Sequence, residues 1–206
     1  MEIKICGITS LEEIIYINKL KPEYVGLVFT RSKREVSKEK AQILTKLLDK
    51  EIIVVGVFRN NSLNEIKNTI EEVKLDVIQI HGSEDEKFIE ELRKSIREEI
   101  KIWKGISIQS EDDLERIINL EVDNIILDGG NPGSGEIFNW ELIKRNELGG
   151  KYFLAGGVNI GNIDEIVKNI KPYGIDVSSG VESLDELGNR KKDFYKMKNL
   201  IEKVRK

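Results

Sequence analysis

The sequence predicts an α/β protein, a single closed (β/α)8 barrel that occupies residues 1–206 as one domain. Eight short apolar and β-branched runs begin near residues 2, 24, 52, 76, 100, 123, 151 and 174. Their starts lie 22 to 28 residues apart, which is about the length that one strand, one helix and two short loops require. The runs are almost continuously apolar, as expected of parallel strands that are buried on both faces.

Amphipathic segments separate the apolar runs, and most of them begin with Ser or Asn as a candidate helix N-cap. Examples are SLEEIIYINKL, SKEKAQILTKLLDK, SLNEIKNTIEEVK and NIDEIVKNIKP. Eight strand–helix units in succession favour a closed barrel over the alternative, an open doubly wound sheet. Apolar residues at helical spacing between Phe194 and Val204 predict a last helix, whose solvated face carries the basic residues of the C-terminal stretch.

Composition and charge argue against several kinds of partner. The net charge of −4 gives no electrostatic basis for binding nucleic acid or an anionic membrane. The longest unbroken run of apolar residues and glycine, IIVVGVF, is far shorter than the roughly 18 residues of a membrane helix. A single cysteine cannot form an intramolecular disulfide, and the charged residues Glu2 and Lys4 do not fit a secretion signal. We therefore expect a cytoplasmic protein.

The barrel fold predicts where the functional residues lie, because active sites in this fold sit at the carboxyl ends of the strands. The residues at the predicted strand ends are Cys6 and Gly7, Phe29, Phe58, His81, Lys104, Asp128, Gly156 with Gly157, and Ser178 to Gly180.

A phosphate site is predicted at the loops after the seventh and eighth strands, which read LAGG and DVSSG. Backbone N–H groups of Gly156 and Gly157 can approach phosphate oxygens, and Ser178, Ser179 and Gly180 add donors at a helix start. The alternative is that the glycines only form tight turns. The segment GGNPGSG lacks the Lys and Ser/Thr ending of a nucleotide-binding loop and is interpreted as a mobile loop.

Cys6 and Asp128 are the candidates for proton transfer, because both lie at strand ends and face the same mouth. Alternatively, Cys6 is a small buried apolar residue and Asp128 a cap or loop residue. His81 is the only histidine, which argues against sites that need two histidine ligands, so no metal is expected. Lys104 could instead form a Schiff base in an aldolase-like reaction.

Motifs distributed over the whole chain resemble the phosphoribosylanthranilate isomerase family. They are, in order, KICGIT, VGLVF with SKR, VGVF, VIQIHG, LDGG with GSGEIFNW, LAGGVN and DVSSGVE. The resemblance implies the Amadori rearrangement of N-(5-phosphoribosyl)anthranilate in tryptophan biosynthesis, with this small molecule as the substrate and no cofactor. We expect a monomer or a homodimer. A related phosphosugar isomerase of the histidine pathway is the alternative that the motifs leave open.

The resemblance also implies a role for individual residues. Cys6 would be the general base that removes the proton from C2 of the sugar, and Asp128 the general acid that protonates the ribose ring oxygen. Arg34 would hold the anthranilate carboxylate, although a solvated charge is the alternative. Asp176 would contact the substrate or be structural, and His81 would line the pocket without transferring a proton.

Two positions depart from the family pattern. Asn139 stands where the family commonly has aspartate, which removes a charge near the mouth and makes the geometry of the loop after the sixth strand less certain. The family usually has proline in the segment that reads Asn159-Ile160-Gly161-Asn162 here. Without proline, we expect this loop over the phosphate to be more mobile.

Overall fold

The computed structural model describes residues 1–108, 120–129 and 152–206. Eight parallel strands form a closed barrel in sequence order, and the eighth pairs with the first. The barrel prediction is confirmed, and each strand begins within one residue of its predicted start. The strands are β1 Glu2–Cys6, β2 Tyr24–Val28, β3 Ile53–Phe58, β4 Val77–Ile80, β5 Lys101–Ser107, β6 Asn124–Asp128, β7 Tyr152–Leu154 and β8 Gly174–Val177.

Helices lie between the strands and after the last one. Those in the described ranges are α1 Leu11–Leu20, α2 Lys38–Lys46, α3 Leu63–Glu72, α4 Glu86–Ser95, α5 Ile163–Glu165 and α6 Phe194–Val204, with a π-helical turn over Ile166–Ile170 continuing α5. Ser10, Ser37 and Ser62 cap their helices by accepting a hydrogen bond from the backbone, as predicted. Asn162 makes no such bond. No helix in the described ranges is long and apolar enough to cross a membrane.

Side chains alternate between the inside and the outside of the barrel along each strand. On β1, Ile3 and Ile5 belong to the core between the sheet and the helices, whereas Cys6 packs against the cluster inside the barrel. Tyr24, Trp103 and Phe153 belong to that inner cluster, with ring centroids 4.8 to 5.4 Å apart. These rings lie near the amino ends of their strands, so they close one end of the barrel and polar side chains occupy the other.

An antiparallel hairpin that the sequence reading did not predict follows β8. A 3₁₀ turn over Ser179–Val181 leads into β9, Glu182–Leu184, which pairs with β10, Arg190–Lys192. The prediction placed a helix start at Ser178 to Gly180, whereas the structure has this short turn. The hairpin matters for the site because Glu182 and Lys192 are both buried beneath the mouth of the barrel.

Candidate active site

A single cavity at the carboxyl ends of the strands collects most of the predicted site residues. Those that line it are Cys6, Arg34, His81, Asp128, Gly156, Gly157, Asp176, Ser178 and Ser179. Gly180 does not line it, because it packs under the backbone of Val158. The strand-end rule therefore brings together residues that are up to 173 positions apart in the sequence.

Cys6 ends β1 with its thiol against the backbone of β2. A Cβ on Gly26 would lie 2.7 Å from the sulfur, so the thiol occupies space that only glycine leaves open. Behind it, the Lys4 ammonium donates to Asp176 Oδ2 over 2.7 Å, and the Lys4 side chain is fully buried. Burial raises the pKa of the Cys6 thiol, while the positive charges of Lys4 and Lys192 act in the opposite direction.

Asp128 is the last residue of β6 and His81 directly follows β4, so both lie at the carboxyl ends of their strands. His81 Nε2 lies 3.5 Å from Asp128 Oδ2, and His81 Nδ1 lies 3.0 Å from the Gln79 side-chain nitrogen. The other carboxylate oxygen of Asp128 faces the loop after β7, where a Cβ on Gly156 would come within 2.8 Å of it. Gly156 has a φ of 75°, so both its backbone conformation and this close approach require glycine.

Arg34 is held at the edge of the cavity by Glu182. The guanidinium donates from Nε over 2.7 Å and from Nη2 over 2.8 Å to the two carboxylate oxygens. Lys192 donates to the same carboxylate over 2.7 Å. Burial tends to raise the pKa of Glu182, but the hydrogen bonds and charges of the two cations outweigh it and lower that pKa to about 2. The remaining guanidinium nitrogen, Nη1, takes no part in this contact with Glu182.

The loop after β7 contains two adjacent glycines and is cross-linked by asparagine side chains. Gly156 and Gly157 both have positive φ, at 75° and 77°. The side chains of Asn159 and Asn162 donate to the carbonyl of Gly157 over 2.7 and 2.9 Å, and Gly161 N donates to Asn159 Oδ1 over 2.8 Å. Hydrogen bonds therefore cross-link the loop that lacks the family's proline, and Asn162 serves the loop instead of capping α5.

The Ser178 hydroxyl is engaged in the framework beneath the mouth. It donates to the carbonyl of Cys6 over 3.0 Å and accepts from Lys192 Nζ over 3.2 Å. The first bond ties the residue after β8 to the end of β1, and the second ties it to β10. Burial lowers the pKa of Lys192, and the neighbouring Glu182 opposes that effect.

Lys104, the candidate for a Schiff base, is not among the residues that line the cavity. Its ammonium forms an ion pair with Glu84 over 2.7 Å and donates to the carbonyl of Gly82 over 2.8 Å. Both side chains of the ion pair are less than one-tenth exposed. This lysine therefore braces the loop after β4, and the aldolase alternative loses its nucleophile.

Several residues of the cavity wall were not singled out by the sequence reading. They are Thr30, Arg31, Ser32, Arg59 and Gln79. Arg59 directly follows the predicted strand end Phe58, and Gln79 is the one polar residue of the apolar run VIQI, so each left a signal in the sequence. Residues 130–135 of the GGNPGSG segment, and Asn139, lie outside the described residues.

The fold and the cavity together define a class of protein, a (β/α)8 barrel whose mouth brings together a thiol, an imidazole, two carboxyl groups and an arginine. The model of the family described as "N-(5'phosphoribosyl)anthranilate (PRA) isomerase" matches residues 3–203. The chain belongs to this family.

Individual relatives agree with the family match. The N-(5'-phosphoribosyl)anthranilate isomerase of Clostridium beijerinckii is 44% identical, and the match covers 100% of this chain and 97% of the relative. Monomers of the dimeric phosphoribosylanthranilate isomerase from Thermotoga maritima superpose with a TM-score of 0.85 at 31% identity, covering 100% of this chain and 98% of that one. A phosphoribosyl anthranilate isomerase in complex with reduced 1-(o-carboxyphenylamino)-1-deoxyribulose 5-phosphate gives a TM-score of 0.82 at 30% identity, with the same coverage.

Proposed function

We propose that this chain isomerises N-(5'-phosphoribosyl)anthranilate to 1-(o-carboxyphenylamino)-1-deoxyribulose 5-phosphate, the Amadori rearrangement of tryptophan biosynthesis, with Asp128 as general acid and Cys6 as general base. The family membership supports the reaction. The composition of the cavity supports the roles. Its lining includes the only cysteine of the chain, the buried carboxyl of Asp128, Arg34 and residues of the loops after β7 and β8.

The reaction divides into two proton transfers. Asp128 gives its proton to the ribose ring oxygen as the bond between that oxygen and C1 breaks, and the anilino nitrogen forms a Schiff base with C1. The minor fraction of Cys6 that is ionised, since burial raises the pKa of the thiol, then removes the proton from C2. The electron pair of the C–H bond forms the C1–C2 double bond of the enamine, and the π pair of the Schiff base returns to nitrogen. Tautomerisation of the C2 enol gives the ketone. C2 is oxidised while C1 is reduced within the same molecule, so the proposed reaction needs no external oxidant or reductant.

Binding groups are proposed at two ends of the cavity. The bidentate contact with Glu182 holds the guanidinium of Arg34 in one orientation, with Nη1 available to the anthranilate carboxylate. At the other end, the backbone N–H groups of Gly156, Gly157 and Ser179 suit the three oxygens of a phosphate. His81 and Asp176 line the wall between the two ends.

Organisation and location are proposed on the same basis. Residues 1–206 form one catalytic domain, because the eighth strand of the barrel pairs with the first. It acts as a monomer or a homodimer, and the Thermotoga maritima relative is described as dimeric. The single cysteine and the net charge of −4 support a cytoplasmic enzyme that binds neither nucleic acid nor membrane.

The test is the decay of substrate fluorescence when purified protein meets freshly generated phosphoribosylanthranilate, with the product identified by mass and NMR. The proposal expects rapid decay and the 1-deoxyribulose product. Borohydride added during turnover should leave the protein mass unchanged, because no lysine forms a covalent adduct. Absence of decay, or a reduced adduct on Lys104, would refute the proposed reaction.

A further inference from the structure

Some buried polar atoms at the mouth of the barrel have no hydrogen-bond partner, and the roles proposed above do not account for them. Within residues 1–108, 120–129 and 152–206, the buried side-chain polar atoms without a hydrogen-bond partner are Gln79 Oε1, His81 Nε2 and Asp176 Oδ1. All three residues line the cavity. Buried polar atoms are normally paired, so such a concentration in one place calls for an explanation.

The bond between Gln79 and His81 determines where the imidazole carries its proton. The Gln79 side-chain nitrogen lies 3.0 Å from His81 Nδ1. An amide nitrogen can only donate, so Nδ1 must accept, and the neutral ring then carries its hydrogen on Nε2. Rotating the amide by 180° would reverse both roles, so the orientation of the Gln79 amide decides the tautomer.

The protonated ring nitrogen faces one particular oxygen of the acid. His81 Nε2 lies 3.5 Å from Asp128 Oδ2 without forming a hydrogen bond, so the N–H dipole acts on this oxygen across a short gap. A proton on Oδ2 would point at the hydrogen of Nε2, so the carboxylic proton is favoured on Oδ1. That oxygen faces Gly156 in the loop proposed to bind the phosphate.

We propose that Gln79 and His81 are positioning residues that keep the transferable proton of Asp128 on Oδ1, a proposal that rests on the acid role of Asp128. Gln79 fixes the Nε2–H tautomer of His81. The Nε2–H group leaves Oδ2 as an acceptor, and it stabilises the carboxylate that forms once the proton has moved to the substrate. Neither residue exchanges a proton with the substrate.

Packing holds the imidazole in this orientation. A Cβ on Gly105 would lie 2.5 Å from His81 Nδ1 and 2.6 Å from its Cγ, so the ring lies directly over the backbone of β5. Gln79 is buried within β4, only 1% exposed, two residues before the histidine. Both ends of the Gln79–His81 bond therefore belong to the rigid barrel and its immediate edge.

The first test uses the fact that His81 is the only histidine in the chain. Protein labelled with ¹⁵N-histidine gives the two nitrogen signals of one imidazole. Their two-bond couplings to Hδ2 and Hε1 distinguish Nε2 from Nδ1, so the shift of each nitrogen reports the tautomer. At pH 8, above the ordinary histidine pKa of about 6.5, the proposal expects the Nε2–H form in the parent protein. A signal pattern of the Nδ1–H form in the parent would overturn it, whatever the variants do.

Variants of Gln79 provide a second test by the same NMR measurement. Gln79→Met keeps the length but removes the donor, so a mixture of tautomers is expected. Gln79→Glu can only accept, so the hydrogen should move to Nδ1. Gln42→Met, the same change on helix α2, should leave the parent signals in place. Parent-like signals in both Gln79 variants would overturn the proposal.

Kinetics separate this proposal from the proposed function. Gln79→Glu, which moves the hydrogen to Nδ1, should lower kcat about tenfold, and Gln79→Met, which keeps part of the molecules in the Nε2–H form, should lower it less. KM should change less than about threefold in both variants. An unchanged kcat would overturn the positioning role. Undiminished turnover by Asp128→Asn would instead refute the acid role, and the tautomer measured by NMR would stand independently of that result.

Discussion

Glu182 offers the sharpest quantitative prediction, because this one buried carboxylate pairs with two cations of the mouth. Its oxygens accept from Arg34 and Lys192, and its side chain is only 4% exposed. Glu182→Gln keeps the shape but imitates the protonated carboxyl. The variant should therefore be less stable than the parent at neutral pH, and the difference should depend on pH.

The size of the difference follows from the pKa of Glu182, which falls from the ordinary 4.5 to about 2 in the folded protein. Each pKa unit corresponds to about 1.4 kcal/mol, so the ionised carboxylate contributes about 3 kcal/mol at neutral pH. The folded pKa is the lower one, so the unfolded chain takes up the proton first as the pH falls. The contribution is complete above pH 4.5, is reduced by about 1.4 kcal/mol at pH 3.5, and vanishes below about pH 2.

Urea unfolding followed by tryptophan fluorescence measures this difference, since Trp103 is buried in the barrel. The free energies of unfolding of parent and Glu182→Gln should differ by about 3 kcal/mol at pH 6, and the difference should narrow to about 1.4 kcal/mol at pH 3. Glu186→Gln, the same change at an exposed position of the β9–β10 turn, should lie within about 0.5 kcal/mol of the parent throughout. A constant gap between parent and Glu182→Gln over this pH range would refute the reasoning.

Three further predictions concern the mouth and its supports. Iodoacetamide should alkylate Cys6 at half its limiting rate only above pH 9, because burial raises the thiol pKa above its ordinary 9.0. Mass spectrometry measures the rate, and a plateau by pH 7 would contradict this prediction. Lys4→Met should move that midpoint higher, since it removes a charge that favours the thiolate; an unchanged midpoint would contradict it. Arg34→Ala should raise KM at least about tenfold with a much smaller change in kcat, measured by steady-state kinetics, and an unchanged KM would exclude contact with the substrate.

Local patterns were sufficient to predict the barrel. Continuous apolar runs fix the strands, and serines such as Ser10 and Ser62 satisfy helix N-termini through contacts three residues away, so the information is close in sequence. The strand-end rule then located Cys6, His81 and Asp128, because a closed parallel barrel brings all carboxyl ends to one face.

Contacts that depend on closure of the barrel were not predictable in the same way. Arg34 and Glu182 are 148 residues apart, and their ion pair exists only because β8 returns to β1. The β9–β10 hairpin has strands of three residues without an apolar alternation, so its sequence carries almost no periodic signal. Gln79 was visible as a polar residue in an apolar run, but its contact with His81 depends on which face of β4 points into the barrel.

The central claim is that Cys6 and Asp128 perform the two proton transfers, and it is tested most directly by turnover of matched variants. Phosphoribosylanthranilate fluorescence decay would be followed with the parent, Cys6→Ala, Asp128→Asn and the control Asp49→Asn, each confirmed as folded by circular dichroism. The account predicts that the first two variants lose at least about 100-fold in kcat while Asp49→Asn matches the parent. Parent-like turnover by Cys6→Ala or by Asp128→Asn would contradict it.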